Sequence, residues 1–153
     1  MESIADQTFG RIAQAIASRE PAPGAGVAAA AALALGIACA RKAAAITLKH
    51  DPTRDGIETC DARLAALQDT ALKLADTDAS CFPAAIRHDQ IAAEKLVEGD
   101  KFLLACSDEA SEIIGRLAGQ VDQVMRNDIV AAQALTAAAV TIVRANLAEN
   151  EAA

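Results

Sequence analysis

Residues 57–74 read IETCDARLAALQDTALKL. Within them Ile57, Cys60, Leu64, Leu67, Ala71 and Leu74 recur at alternating steps of three and four, one continuous seam along a helix. A strand would show a period of two, and no such alternation occurs anywhere in the chain. The fold class that follows is all-α.

The same period extends on both sides of this stretch. Ser3-Ile4-Ala5-Asp6 has the form of a capping box, and Phe9, Ile12, Ala13 and Ile16 follow at helical spacing. This first helix is expected to end near Ser18, before Glu20-Pro21-Ala22-Pro23-Gly24. A second is expected from Gly26 to Leu48, broken by Asp51-Pro52-Thr53. The third, which holds the seam, is kinked or ended by Pro83. Arg87 to Asp100 reads as a polar loop with at most a short helix over Ala92 to Val97. A fourth helix, Lys101 to Met125, carries Leu103, Cys106, Ala110, Ile113, Leu117, Val121 and Val124 on one side, with Gly115 and Gly119 permitting a close crossing. The fifth runs from Asp128, which can cap or begin it, to Leu147, and the tail from Glu149 is expected to fray. Residues 1–153 form one domain of about five main helices.

Composition limits what such a bundle can do. Hydrophobic residues make up 53% of the chain, but much of that is alanine, and aromatics are only 2%. Alanine favours helix and buries little side-chain surface, so Ala-rich faces gain enough contact only by packing closely on another helix. That helix can belong to the same chain or to a second copy, and a homodimer is expected. A net charge of −7 disfavours a nucleic-acid backbone as partner, and aromatics for base stacking are scarce. Cys39, Cys60, Cys81 and Cys106 form no C-x-x-C pair and read as reduced thiols. Met1 leads into Glu2 and Asp6, unlike a signal peptide. The longest uncharged stretch, Ala22 to Ala40, is mostly alanine and glycine and reads as too weakly apolar for a membrane span. A cytoplasmic protein with no membrane partner is the expectation.

Three features could carry chemistry. One further step along the third helix's seam, beyond Leu74, lands on Asp78, and the next on Cys81, whereas Asp76 falls on another face and should be solvated. A carboxylate on a buried stripe resists ionisation, so Asp78 is a candidate general acid/base or a counter-charge for a cationic ligand. The alternative is a structural carboxylate near the Pro83 kink, bonded to loop amides or water. Asn146 is likewise the next step after Ile129, Ala132, Leu135, Ala139 and Ile142, and either fixes helix register or meets a ligand. Pro21-Ala22-Pro23-Gly24-Ala25-Gly26 opens straight into a helix. Its glycines permit positive φ and close contact, and the helix N-terminus suits a carboxylate or phosphate, though a plain loop has the same composition. His50 and His88 lie in polar segments without metal-ligand spacing, so no metal is expected.

Taken in order, these features resemble the cyclodeaminase/cyclohydrolase family, which includes the cyclodeaminase domain of formiminotransferase-cyclodeaminase and bacterial methenyltetrahydrofolate cyclohydrolases. Pro21 to Gly26, opening an Ala-rich helix, is similar to the family's Pro-x-Pro-Gly-Gly-Gly-Ser-Val-Ala-Ala signature. Asp76-Thr77-Asp78-Ala79-Ser80-Cys81-Phe82 looks like its Asp-x-Asp-Ala-x-x-Phe segment, and Asp128 to Ala132 with Asn146-Leu147 resembles its last long helix. Ala25 stands where the family has glycine, Val27 where it has serine, and Ile142 where it often has asparagine.

The resemblance implies an antiparallel helical homodimer with a reduced-folate site near the subunit interface and no cofactor beyond that substrate. It implies a catalytic role for Asp78, and substrate contacts from Pro23, Gly24, Ala25, Gly26, Asp128 and Asn146. The implied reaction is hydrolysis of 5,10-methenyltetrahydrofolate to 10-formyltetrahydrofolate, or cyclodeamination of the formimino derivative. The substitutions in the loop leave a second reading open, a non-catalytic relative whose dimer binds another ligand or a protein. A third, a purely structural helical adaptor, calls for exposed apolar stripes and no cleft.

Overall fold

A computed structural model describes residues 3–152; the Met1-Glu2 opening lies outside them. The described residues form five α-helices and no strand: α1 (Phe9–Ile16), α2 (Ala25–His50), α3 (Ile57–Ala85), α4 (Gln90–Ala118) and α5 (Arg126–Ala152). The four long helices make an antiparallel ring in which each packs on the next and α5 closes back onto α2. Single 3-10 turns precede α1 (Ile4–Asp6) and α5 (Gln123–Met125).

Alanine builds the centre of this ring. On α2, Ala29, Ala30, Ala40, Ala43 and Ala44 are fully buried beside Val27, Leu33 and Ile37. Small side chains let this helix approach both α3 and α5 closely. The tightest approach is at Gly36, where an added Cβ would lie 3.0 Å from the Ala132 carbonyl oxygen and 3.0 Å from Thr136 Oγ1. Gly115 and Gly119, the expected crossing point, instead have open space or only their own helix beside them.

An ion pair marks each of the four seams. Arg41 meets Asp61 at 2.9 Å between α2 and α3, and Arg63 meets Glu109 at 2.6 Å between α3 and α4. Lys101 meets Glu151 at 2.8 Å between α4 and α5, and Lys42 meets Asp128 at 3.4 Å between α2 and α5. At such exposure these pairs add little stability, but all four agree with a single register.

Several boundaries differ from the sequence expectation, each for a local reason. Arg87 to Asp100 is mostly helix: Asp89 caps α4 by accepting from the Ala92 N–H at 3.0 Å, and Ala92, Leu96 and Asp100 are its buried positions. One buried residue per turn is too sparse to stand out among polar neighbours. α4 stops at Ala118 rather than Met125, and Val124 is 76% exposed. α5 does not fray at Glu149, because the Lys101–Glu151 pair and a 2.8 Å bond from Asn150 to Asp100 tie its last turns to α4. Pro83 lies inside the last turn of α3, which runs two residues past it. Ser3 caps only the Ile4–Asp6 turn, and Thr8 caps α1 by accepting from the Arg11 N–H at 3.3 Å. Asp76 is not simply solvated: it accepts from Ser3 Oγ at 2.8 Å and from the Ile4 N–H at 2.6 Å, pinning that turn to α3.

By length and hydropathy alone, α2 and the segment Gln123–Ala152 could cross a membrane, contrary to the expectation from Ala22 to Ala40. α2, however, is a core helix of the bundle.

Candidate functional site

The antiparallel arrangement brings four helix ends together: the N-termini of α2 and α4 and the C-termini of α3 and α5. A cavity of about 610 Å³ opens among them, within the size range of small-molecule sites. Its walls include Gly24, Ala25 and Gly26 from the start of α2, Asp78 and Phe82 from α3, and His88 and Asp89 from the following turn. Asn146, Glu149 and Asn150 complete it from α5.

Asp78 reaches this wall because the buried stripe of α3 shifts. After Ala71 it continues by fours through Ala75 and Ala79, which leaves Leu74, Asp78 and Cys81 half-buried on its flank. The carboxylate lies against Gly26, where an added Cβ would stand 2.1 Å from Oδ1 and 2.4 Å from Cγ. Any side chain at position 26 would therefore displace it. The Val27 N–H donates to the carboxylate, so the free amides at the start of α2 are partly served by the chain's own acid. Gly24, the residue before α2, has negative φ and makes no side-chain cap. Close approach at Gly26, rather than positive φ, is what this loop requires of its glycines.

Burial is the first cause that raises the Asp78 pKa from 3.8 to about 6, and the negative charge of Asp100 is the second; the Val27 hydrogen bond opposes both. Asp100 is itself buried and pushed up by desolvation, while a hydrogen bond from Asn150 Nδ2 at 2.8 Å favours its ionised form. The charge of ionised Asp100 resists ionisation of Asp78. A cleft of about 10 Å³, room for about one water, adjoins both carboxylates and is bordered also by Thr77 and Lys95.

The structure brings together Asp78, Gly24, Ala25, Gly26 and Asn146. The Asn146 carboxamide makes no hydrogen bond to any described residue, so its donor and acceptor are free at the cavity wall. Pro23 follows a cis peptide bond and is not on the wall, whereas Pro21 is. Asp128 lies elsewhere: it pairs with Lys42, sixteen residues along α2 from Gly26 and so roughly 24 Å away by helical rise. Val27 is fully buried, so its side chain belongs to the core and only its N–H serves the site. Asp100, Asn150, Glu149 and His88 were not singled out by sequence, although Leu96, Asp100 and Leu103 share helical spacing and Asn150 stands four residues after Asn146. His88, with φ of 65°, forms the turn between α3 and α4.

Residues 8–102, well over half of the chain, match the family described as formiminotransferase-cyclodeaminase. The chain belongs to that family. Among solved structures, formiminotetrahydrofolate cyclodeaminase from Thermotoga maritima superposes with a TM-score of 0.90 over 97% of this chain and 80% of its own, at 17% identity. Identity that low establishes a shared fold. No curated protein matches the chain by sequence. The family match ends at Asp100-Lys101-Phe102, so α5, with Asn146 and Asn150, joins the formiminotransferase-cyclodeaminase comparison through the superposed fold.

Proposed function

We propose that this member of the formiminotransferase-cyclodeaminase family acts on a reduced folate in the cavity beside Asp78. The leading reaction is hydrolysis of 5,10-methenyltetrahydrofolate to 10-formyltetrahydrofolate, and cyclodeamination of the formimino derivative is the related alternative. The observation that carries the reading is a half-buried carboxylate, held against Gly26 at the wall of a ligand-sized cavity. With a pKa of about 6 it is ionised at neutral pH yet readily protonated, as a group that both takes and returns a proton should be.

In the hydrolysis, water adds to the cationic bridge carbon while ionised Asp78 accepts one of its protons. Asp78 then returns that proton to N5. The new hydroxyl loses its proton as the carbon–N5 bond breaks, which leaves the formyl group on N10 and releases one proton overall. Asp78 also offsets the positive charge of the bridge, and Asn146 offers an amide to orient the ring. Water, substrate and a carboxylate suffice, so no metal or further cofactor is invoked. In cyclodeamination the same carboxylate would move protons as the ring closes and ammonia leaves.

This reading includes a homodimer in the cytoplasm, where Cys39, Cys60, Cys81 and Cys106, all free, would remain thiols. Asp128 would then act in register through Lys42, or reach a folate only from another subunit. The rival, a non-catalytic relative, rests on Ala25, which puts a methyl at the cavity wall where the family has glycine.

The test is direct. Purified protein is mixed with 5,10-methenyltetrahydrofolate, and loss of its near-ultraviolet absorbance is compared with buffer alone. Accelerated loss is expected. No acceleration, together with no heat of binding for a reduced folate, would favour the non-catalytic relative.

A further inference from the structure

Asp100 is a liability to the fold. It is only 5% exposed, and the residues that cover it belong to its own chain. One helical step to either side, the same buried stripe of α4 carries Leu96 and Leu103. A carboxylate in such a place is costly, and a single hydrogen bond from a neutral amide, Asn150 Nδ2 at 2.8 Å, offsets only part of that cost. Among the described residues no cation pairs with it. Lys95 stands exposed at the rim of the small cleft and bonds to neither acid, and Lys101 is engaged with Glu151 at 2.8 Å. A second acid, Asp78, borders the same cleft and adds repulsion. Stability does not account for a carboxylate at this position; apolar packing would serve the helix better.

Its placement relative to the site gives it a use. Asp78 borders both the large cavity and the small cleft, whereas Asp100 borders the cleft alone. Asn150 lines the cavity and donates to Asp100, so the three side chains run in series across α5, α4 and α3. We infer that Asp100 is a positioning residue for the reaction of Asp78: anchored by Asn150 behind the base, it sets a negative charge that drives Asp78 to take a proton from the cavity side. The inference rests on the folate reading above. Charge behind Asp78 favours the step in which it accepts a proton from the attacking water. One water in the cleft can also donate a hydrogen bond to each carboxylate and tie their positions together. From α2 only the Val27 N–H meets Asp78, and it opposes the effect. His88, Asp89 and Glu149 share the cavity wall, and none of them bonds to either acid.

The experiment measures kcat/KM for 5,10-methenyltetrahydrofolate at pH 5 and pH 8, corrected for the reaction in buffer, with wild-type protein and Asp100→Asn. The substitution keeps the shape of the side chain and an oxygen for Asn150 Nδ2, so the α4–α5 contact survives while the charge is removed. His88, Asp89, Lys95 and Glu149 are the same in both proteins, so the comparison isolates Asp100. A base with a pKa of about 6 is about one-tenth ionised at pH 5, so wild type should show an activity ratio, pH 5 to pH 8, of about 0.1. In Asp100→Asn the ratio should rise, and activity at pH 8 should fall because Asp78 is then a weaker base. An unchanged ratio in the folded variant means that Asp100 serves packing alone; it overturns the inference and leaves the folate reading standing. If the variant does not fold, carboxyl NMR of wild type decides. The Asp100 signal should shift as Asp78 titrates, and one that is indifferent to that midpoint overturns the coupling. No turnover by wild type at either pH removes the folate reading and this role together.

Discussion

Asp78 meets two opposed requirements, since the position that makes it useful to a substrate makes its charge costly to the fold. Its pKa is raised in the folded state, so its contribution to stability is fully present below 3.8 and is lost as pH rises through about 6. That displacement corresponds to roughly 2–3 kcal/mol at neutral pH. Asp78→Asn should therefore be more stable than wild type at pH 7, by an amount of this order less any weakening of the Val27 contact, and the difference should vanish near pH 4. Urea unfolding at the two pH values checks it. Asp100→Asn removes the second cause of the shift, so the Asp78 pKa should fall toward its ordinary value. A carboxylate titration of Asp78 followed by NMR in that variant reads the direction. Asp78 and Asn146 were legible in the sequence because both extend an apolar seam by one helical step. Asp100 and Asn150 were not, because each stands in a segment whose polar surroundings read as loop or frayed tail. What makes them functional candidates is their contact with each other across two helices fifty residues apart.

Among elements, the helices were legible wherever a seam was dense. α3 repeats an apolar residue every three or four positions and is legible to within its last turn; at the start of α4 only a short helix over Ala92 to Val97 is legible, because Glu94 and Lys95 stand between buried Ala92 and Leu96 and Gly99 follows. The glycines were misassigned for a related reason. A Gly-x-x-x-Gly spacing suggests a crossing, but only the packing tells which glycine faces a neighbour. Gly36→Ala should cost roughly 1–3 kcal/mol, since its methyl would press on the α5 backbone at Ala132. Gly115→Ala has open space around the new methyl and replaces a helix-interior glycine, so it should stabilise by about 0.5–1 kcal/mol. Thermal unfolding of the two variants should move in opposite directions.

For the molecule as a whole, one chain leaves apolar surface unpaired. α1 buries none of its residues, with Phe9 71% exposed, and Val130 is 61% exposed on the outer side of α5. A second copy would cover such surfaces, and sedimentation should give twice the 15.7 kDa of the chain. Val130→Asp should shift that equilibrium toward monomer if α5 takes part in the contact. Alanine content leads to the expectation of a dimer but not to its geometry, because alanine faces differ little from one another. The helix order also decides where the chemistry can be: only an antiparallel ring sets the start of α2, the end of α3 and the end of α5 around one cavity. The most direct test of that assembly is the pH dependence of kcat/KM for 5,10-methenyltetrahydrofolate, corrected for the reaction in buffer. With Asp78 as the base, activity should fall as pH drops through about 6, and Asp78→Asn should lose about 10²–10⁴-fold together with that inflection. A wild-type profile flat from pH 5 to 8, or an Asp78→Asn protein of undiminished activity, would contradict it.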